Sequence, residues 1–81
     1  MAGGEPGPPA RADAAALYAR VRALLEAEPP RARKVAALRL EGYSFYEIGL
    51  ACGVSESSAR VIDFRVKKRI RAALEQEGYY E

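Results

Sequence analysis

The sequence predicts an all-α domain of four helices, the last of them long. Three observations predict it. Apolar residues recur at helical spacing, as in Leu17, Val21, Leu24 and Leu25, which form one stripe on a helix surface. No segment alternates apolar and polar residues as a half-buried strand would. Helix-stopping residues punctuate the chain at Pro29-Pro30, Gly42, Gly53 and Gly78.

Residues 1–10 carry three of the seven Gly and three of the five Pro. Such a composition buries too little apolar surface to order itself, so a disordered tail or linker is expected there. The domain is expected over residues 11–78, with a frayed end at 79–81. From Arg11 to Glu28 the chain is rich in Ala, Leu and Arg, which favour helix. Pro29-Pro30 ends that helix and opens a second, from about Pro30 to Leu40, because proline suits a first helical turn. Val35, Ala36 and Leu38 are expected to face inward, and Gly42 suits the residue just past the helix. Ser44 with Glu47 three residues on has the spacing of a capping box, so a short third helix, FYEIGLAC, is expected from Phe45. Gly53 ends it, Val54 plugs the turn, and Ser55 caps a fourth helix from Glu56 to about Gln76, which contains neither Gly nor Pro.

Composition narrows the function. Apolar residues make up 49% of the chain and charged residues 30%, an ordinary globular balance. Eighty-one residues bury a small core, which favours action by surface contact over a deep catalytic pocket. No apolar run approaches the roughly 18 residues of a membrane-spanning helix, and no basic-then-apolar start resembles a secretory signal. Cys52 is the sole cysteine and there is no histidine, so neither an internal disulfide nor a zinc site can form. A reducing, cytoplasmic compartment follows. Cys52 is expected to be a small buried hydrophobe. Glu26 with Glu28, and Glu75 with Glu77, read as solvated helix-end charges rather than acid–base pairs. With no nucleophile–base pair and no glycine-rich phosphate loop, no enzyme, cofactor, metal or small-molecule substrate is expected.

The fourth helix carries most of the information. At 100° per residue, Ala59, Ile62, Val66, Ile70, Ala73 and Leu74 gather on one side, the expected core face. The other side holds Ser57, Arg60, Val61, Phe64, Arg65, Lys68 and Arg71. Residues 60–71 contain six cations and one anion, a local charge of +5 on a chain of net +2. Phe64 stands among those cations, where solvent alone does not favour it. A solvated basic helix with one stray aromatic is the plainer reading of this pattern.

The neighbouring elements favour a sharper one. A helix of about eight residues, a tight turn and a basic helix make a helix-turn-helix signature, with small Ala51 and Gly53 expected where the two helices approach. In that motif the first helix braces across the phosphate backbone and the second enters the major groove. Ser57, Arg60, Val61, Phe64 and Arg65 would then face base edges. Arg60 and Arg65 suit bidentate bonds to guanine, while Val61 and Phe64 suit thymine methyls. Lys67, Lys68 and Arg71, with Arg39, Tyr43 and Ser44, would meet phosphates, contacts that position without specifying.

The stretch from Leu38 to Arg71 resembles region 4 of bacterial RNA polymerase sigma factors, and most nearly the small extracytoplasmic-function group. The resemblance rests on Glu41, Gly42, Ser44, Phe45, Glu47 and Ile48, then Cys52-Gly53-Val54-Ser55, then Ser58, Ala59, Arg60, Phe64, Arg65 and Lys67. Pro29-Pro30-Arg31 also suits the opening of that region. No single motif is diagnostic, but their order and spacing are shared over about residues 13–78. The resemblance implies recognition of the minus-35 promoter element in double-stranded DNA by the long helix. It also implies docking on the flap of the polymerase β subunit through an apolar surface of the earlier helices, and competition by an anti-sigma factor. The family's segment that melts the minus-10 element has no counterpart in these residues.

Departures from the family pattern bear on detail. Val61 and Ile62 replace a frequent small polar residue and a frequent arginine, which changes the promoter sequence expected. Asp63 stands where an apolar residue is usual, and is expected to pair with a cation such as Arg39 or Arg69 or to set specificity. Gly49 replaces a usual alanine, a cost of about 1 kcal/mol in helix propensity. Two alternatives stay open at this level. One is the output domain of LuxR-type regulators, which shares the four-helix plan but ends its recognition helix sooner. The other is a protein-interaction module that chiefly binds an anti-sigma factor or the polymerase flap.

Overall fold

The computed structural model describes residues 8–79, and every described element is helical. Helix α1 spans Pro8–Glu26, α2 Pro30–Leu40, α3 Phe45–Cys52 and α4 Glu56–Gln76. Helix α1 begins three residues ahead of Arg11, with Pro8 and Pro9 in its first turn, where their missing N–H groups cost nothing. Residues 1–7 of the expected tail, and Tyr80 and Glu81 of the expected frayed end, lie outside the described residues. No helix among the described residues is long and apolar enough to cross a membrane.

Local chemistry sets these boundaries. The Ser44 hydroxyl accepts from the Glu47 N–H at 3.1 Å, and the Glu47 carboxylate accepts from the Ser44 N–H at 2.9 Å, a complete capping box at the start of α3. At the start of α4 the Ser55 hydroxyl accepts from the Ser58 N–H at 3.0 Å. Helices α2, α3 and α4 end alike: the N–H of Tyr43, Val54 and Tyr79 returns to the carbonyl five residues back, around Gly42, Gly53 and Gly78. Gly53 adopts φ 71°, a left-handed conformation that a side chain resists, which lets the chain reverse into α4 within three residues.

Helix α4 is the spine against which the other three pack. Val35 and Ala36 of α2, Ile48 of α3, and Ala59, Val66 and Leu74 of α4 are buried. Leu38, Phe45, Cys52, Val54 and Ile62 close around Val35, Ile48 and Ala59, each partly buried. Each fully buried aliphatic side chain contributes roughly 1.5–3 kcal/mol, so this cluster holds α2, α3 and α4 together. Helix α1 is attached differently. Leu17, Val21, Leu24 and Leu25 are only half-buried, and polar ties supplement them. The Arg20 guanidinium forms a two-pronged pair with Glu77, at 2.8 and 2.7 Å, and Arg69 does the same with Glu28, at 3.1 and 2.6 Å. Arg33 donates to the Glu26 carbonyl at 3.1 Å, which satisfies the end of α1.

Two of these contacts make stability depend on acid. The backbone and hydroxyl of Ser44 hold the Glu47 carboxyl below its ordinary value of 4.5, and the Arg20 guanidinium does the same for Glu77. Both folded-state values are depressed, so their stabilisation is present in full above about pH 4.5 and is lost as pH falls through the folded values. The melting temperature is therefore expected to fall on acidification below that point. A Glu47→Gln, Glu77→Gln double variant keeps both hydrogen-bonding shapes without the titration. Its acid-induced fall, followed by circular dichroism, should be shallower than that of the parent chain, and an unchanged slope would refute the assignment.

The turn between α3 and α4 departs from the sequence expectation. Ala51 is exposed, and the close approach is made by Gly49, which is buried. A Cβ built on Gly49 would lie 2.6 Å from the Val54 carbonyl oxygen and 3.3 Å from the Ser55 carbonyl carbon. The expected propensity cost of Gly49 thus coincides with a steric requirement.

Asp63 is the buried charged residue of the core, 4% exposed. It pairs with neither Arg39 nor Arg69. Arg39 donates to the Tyr43 carbonyl and Arg69 is committed to Glu28. The Asp63 Oδ2 instead meets Lys67 Nζ at 3.0 Å, one helical turn along α4, because a carboxylate at the edge of a helix's core face reaches its own i+4 neighbour without moving backbone. Its Oδ1 has no hydrogen-bond partner among the described residues, an unmet desolvation cost of about 1–3 kcal/mol by the usual scale for such groups.

Candidate nucleic-acid interface

The first turns of α4 pack one side against α2 and α3, and the helix periodicity decides which side chains are left outside. Ser57, Arg60, Val61, Phe64, Arg65, Lys68 and Arg71 are all exposed, with Phe64 at 64% and Val61 at 46%. Ala59 and Val66 on the opposite side are fully buried. Tyr43, 46% exposed, and Ser44 lie at the start of α3, beside the half-buried Arg39 from the end of α2. Ser57, Val61 and Arg65, with Val54, Ser58 and Arg31, line one open groove of about 370 Å³ on the α2 side of this exposed face.

The electrostatics of this face are less uniform than its composition. Four of the six cations between residues 60 and 71 meet a carboxylate: Arg60 with Glu56 at 3.2 Å, Lys67 with Asp63, Arg69 with Glu28, and Arg71 with Glu75 at 3.5 Å. Arg65 and Lys68 form no ion pair among the described residues, and neither does Arg31. The Arg60–Glu56 and Arg71–Glu75 pairs are i,i+4 contacts in solvent, worth about 0–1 kcal/mol and screened by salt, so a phosphate competes with them readily. Arg69 turns to Glu28 in the turn between α1 and α2. Lys67 and Arg71 border the far edge of the face, where they also line an apolar cleft of about 270 Å³ between α1, α2 and α4.

Two residues beside this face were named in the sequence only for their family resemblance and were given no contact role. Arg31 belongs to the first turn of α2, more than twenty residues before α4, and only the packing of α2 on α4 brings it to the groove. Phe45 is half-buried at the first position of α3, and two guanidinium groups stack on its ring: Arg39 at 4.3 Å from the centroid and Arg60 at 4.9 Å. Arg39 also donates to the Tyr43 carbonyl at 2.9 Å. The aromatic–arginine spacing was present in the sequence, but the meeting of three residues from three helices is a tertiary property.

The Ser44 hydroxyl is engaged within its own cap, accepting from the Glu47 N–H and stabilising the Glu47 carboxylate, so Ser44 offers its surroundings only what that cap leaves over. Ser57 lies 3.4 Å from the Ser55 hydroxyl, a marginal contact that leaves most of its bonding capacity unused. An exposed row of Ser, Val, Phe and Arg, beside cations that form no ion pair among the described residues, can hydrogen-bond base edges, pack on methyl groups and neutralise phosphates. No group of side chains that could hold a metal ion occurs among the described residues.

The chain matches no protein-family model, and no curated protein or solved structure matches it.

Proposed function

We propose that this chain is a promoter-recognition domain of the sigma region 4 kind, which lays α4 in the major groove of duplex DNA. The observation that carries the reading is the outward row of Ser57, Val61, Phe64, Arg65 and Lys68: a bulky aromatic held in solvent beside Arg65 and Lys68, which have no carboxylate partner among the described residues. The order of motifs shared with region 4 of sigma factors supports it, and so does the continuation of α4 to Gln76, beyond what the LuxR-type alternative uses. In this reading Ser57, Val61, Phe64 and Arg65 face base edges, with Arg60 at the rim of that row. Arg39, Tyr43, Ser44, Lys67, Lys68 and Arg71 meet the backbone. The domain acts in the cytoplasm as a binding module and not as an enzyme.

Selection from a pool of random duplexes, followed by titration of the enriched and an unrelated duplex over a range of salt, tests the reading. Arg65→Ala should weaken the enriched duplex about tenfold or more while barely changing the unrelated one, since a lost bidentate base contact removes roughly 1–3 kcal/mol of discrimination. Lys68→Ala should weaken both alike and flatten the salt slope by about one unit. Equal losses on both duplexes for both variants would count against major-groove readout.

A second reading is favoured by one observation. The cleft of about 270 Å³ lined by Val21, Leu25, Leu40, Ile70 and Leu74, together with the exposed Leu40 and Tyr18, offers an apolar surface on the earlier helices. A polymerase β flap or an anti-sigma factor would dock there, and the two readings meet at Lys67 and Arg71, which border both surfaces.

A further inference from the structure

We propose that Phe45 is a positioning residue that holds Arg39 and Arg60 together as a two-arginine clamp for the sugar-phosphate backbone, which takes Arg60 away from the base edges. The inference rests on the DNA-binding reading above and assigns one of its subsites. Arg39 leaves the end of α2, Phe45 opens α3 and Arg60 sits in the second turn of α4, so three helices contribute one side chain each. Both guanidinium carbons lie over the same ring, at 4.3 and 4.9 Å from its centroid. Stacking engages the flat face of a guanidinium and leaves its in-plane N–H donors at the edge. Those donors form the fork that matches phosphate oxygens. Arg39 is further fixed by its bond to the Tyr43 carbonyl, so its direction does not depend on DNA.

The surroundings select the ligand. The clamp lies at the start of α3, the helix that crosses the backbone in this motif, and not along the open row of Val61, Phe64 and Arg65. Glu56 holds Arg60 at 3.2 Å in the free protein, through side chains that are about half exposed, 49% and 57%. An exposed carboxylate of this kind acts as a place-holder that a phosphate oxygen replaces without burying any charge.

The test uses the full chain with the enriched and unrelated duplexes, titrated over a range of salt. Arg39→Ala and Arg60→Ala should each weaken both duplexes by the same factor, about tenfold, and each should flatten the salt slope by about one unit. Phe45→Leu keeps every charge and most of the apolar contact. It should weaken both duplexes about threefold with the helical signal intact. In the Arg39→Ala, Arg60→Ala background the same Phe45→Leu change should have no effect on binding. In the free protein, the side-chain Nε–H resonances of Arg39 and Arg60 should both move when Phe45 is replaced, through loss of the ring's field.

A change of base preference in Arg60→Ala, with the unrelated duplex unaffected, would make Arg60 a base reader and overturn the clamp while leaving the DNA reading intact. An equal effect of Phe45→Leu with and without the two arginines would reduce Phe45 to a core residue. Loss of no affinity in Arg39→Ala, Arg60→Ala, Arg65→Ala or Lys68→Ala would overturn both the clamp and the reading beneath it.

Discussion

Val66→Asp is expected to unfold the domain at neutral pH. Val66 is fully buried at the centre of α4, where the spine meets α2. An aspartate there must either bury an unpaired charge or be neutralised, and both are costly. The nearest acidic neighbour makes it worse: Asp63 is three residues earlier on the same side of the helix, already buried and already using Lys67. The substitution also removes a packed aliphatic side chain. A loss of about 4 kcal/mol or more is expected, comparable with the whole stability of a domain this small. Val66→Ala removes only apolar contact, and should cost about 2 kcal/mol and melt cooperatively at a lower temperature. Thermal unfolding followed at 222 nm by circular dichroism, a helix signal, separates the two. A Val66→Asp chain that melts like the parent would mean that the buried and open sides of α4 are interchanged, and the recognition face with them.

Gly49→Ala is the second large effect, and its sign is the point of the experiment. Helix propensity alone favours alanine by about 1 kcal/mol. Geometry opposes it. The added Cβ would stand 2.6 Å from the Val54 carbonyl oxygen, a backbone atom in the turn. That turn cannot shift freely, because the Val54 N–H is bonded to the Gly49 carbonyl at 3.0 Å and Ser55 caps α4 directly after it. Overpacking of this kind typically costs 1–3 kcal/mol, which outweighs the propensity gain. A net loss of up to about 2 kcal/mol is expected, a fall of up to roughly 8–16 °C in melting temperature for a chain of this length. The exposed Ala51→Gly should show the ordinary propensity loss of about 1 kcal/mol and no more. A rise in melting temperature for Gly49→Ala would show that α3 and α4 do not approach as closely as described.

The contrast between these two positions shows how the sequence could be read and where it could not. The boundaries of α2, α3 and α4 follow from Pro30, Ser44 with Glu47, Gly53, Ser55 and Gly78, residues whose preferences act within four or five positions along the chain. The buried side of α4 follows from helical periodicity, which is likewise local. Gly49 carried a local signal too, but propensity reports only the helix it sits in, and its steric role depends on where the next helix begins. Asp63 is the same kind of case. Its place at the edge of the core face was legible, while its partner could be chosen only among cations whose positions were unknown.

The candidate interface divides along the same line. Exposure of Ser57, Val61, Phe64, Arg65 and Lys68 is a matter of angular position on one helix. The state of each cation is not. Arg69 turns out to fasten the turn between α1 and α2 through Glu28, and Arg60 lies over Phe45 beside Arg39, so the +5 read from residues 60–71 is shared between holding the fold and facing outward. Arg31 joins the groove without any spacing that relates it to α4.

By itself the sequence determined the number of helices, the caps and stops of the last three, and which side of the last helix is apolar, because capping, glycine and proline effects and the 3.6-residue period all operate between near neighbours. Only the tertiary structure decided which glycine marks the close crossing, which cations remain without a carboxylate, and which aromatic ring gathers two arginines. Those outcomes depend on distances between residues far apart in the chain, and such distances are set by how the helices pack around Val35, Ile48 and Ala59.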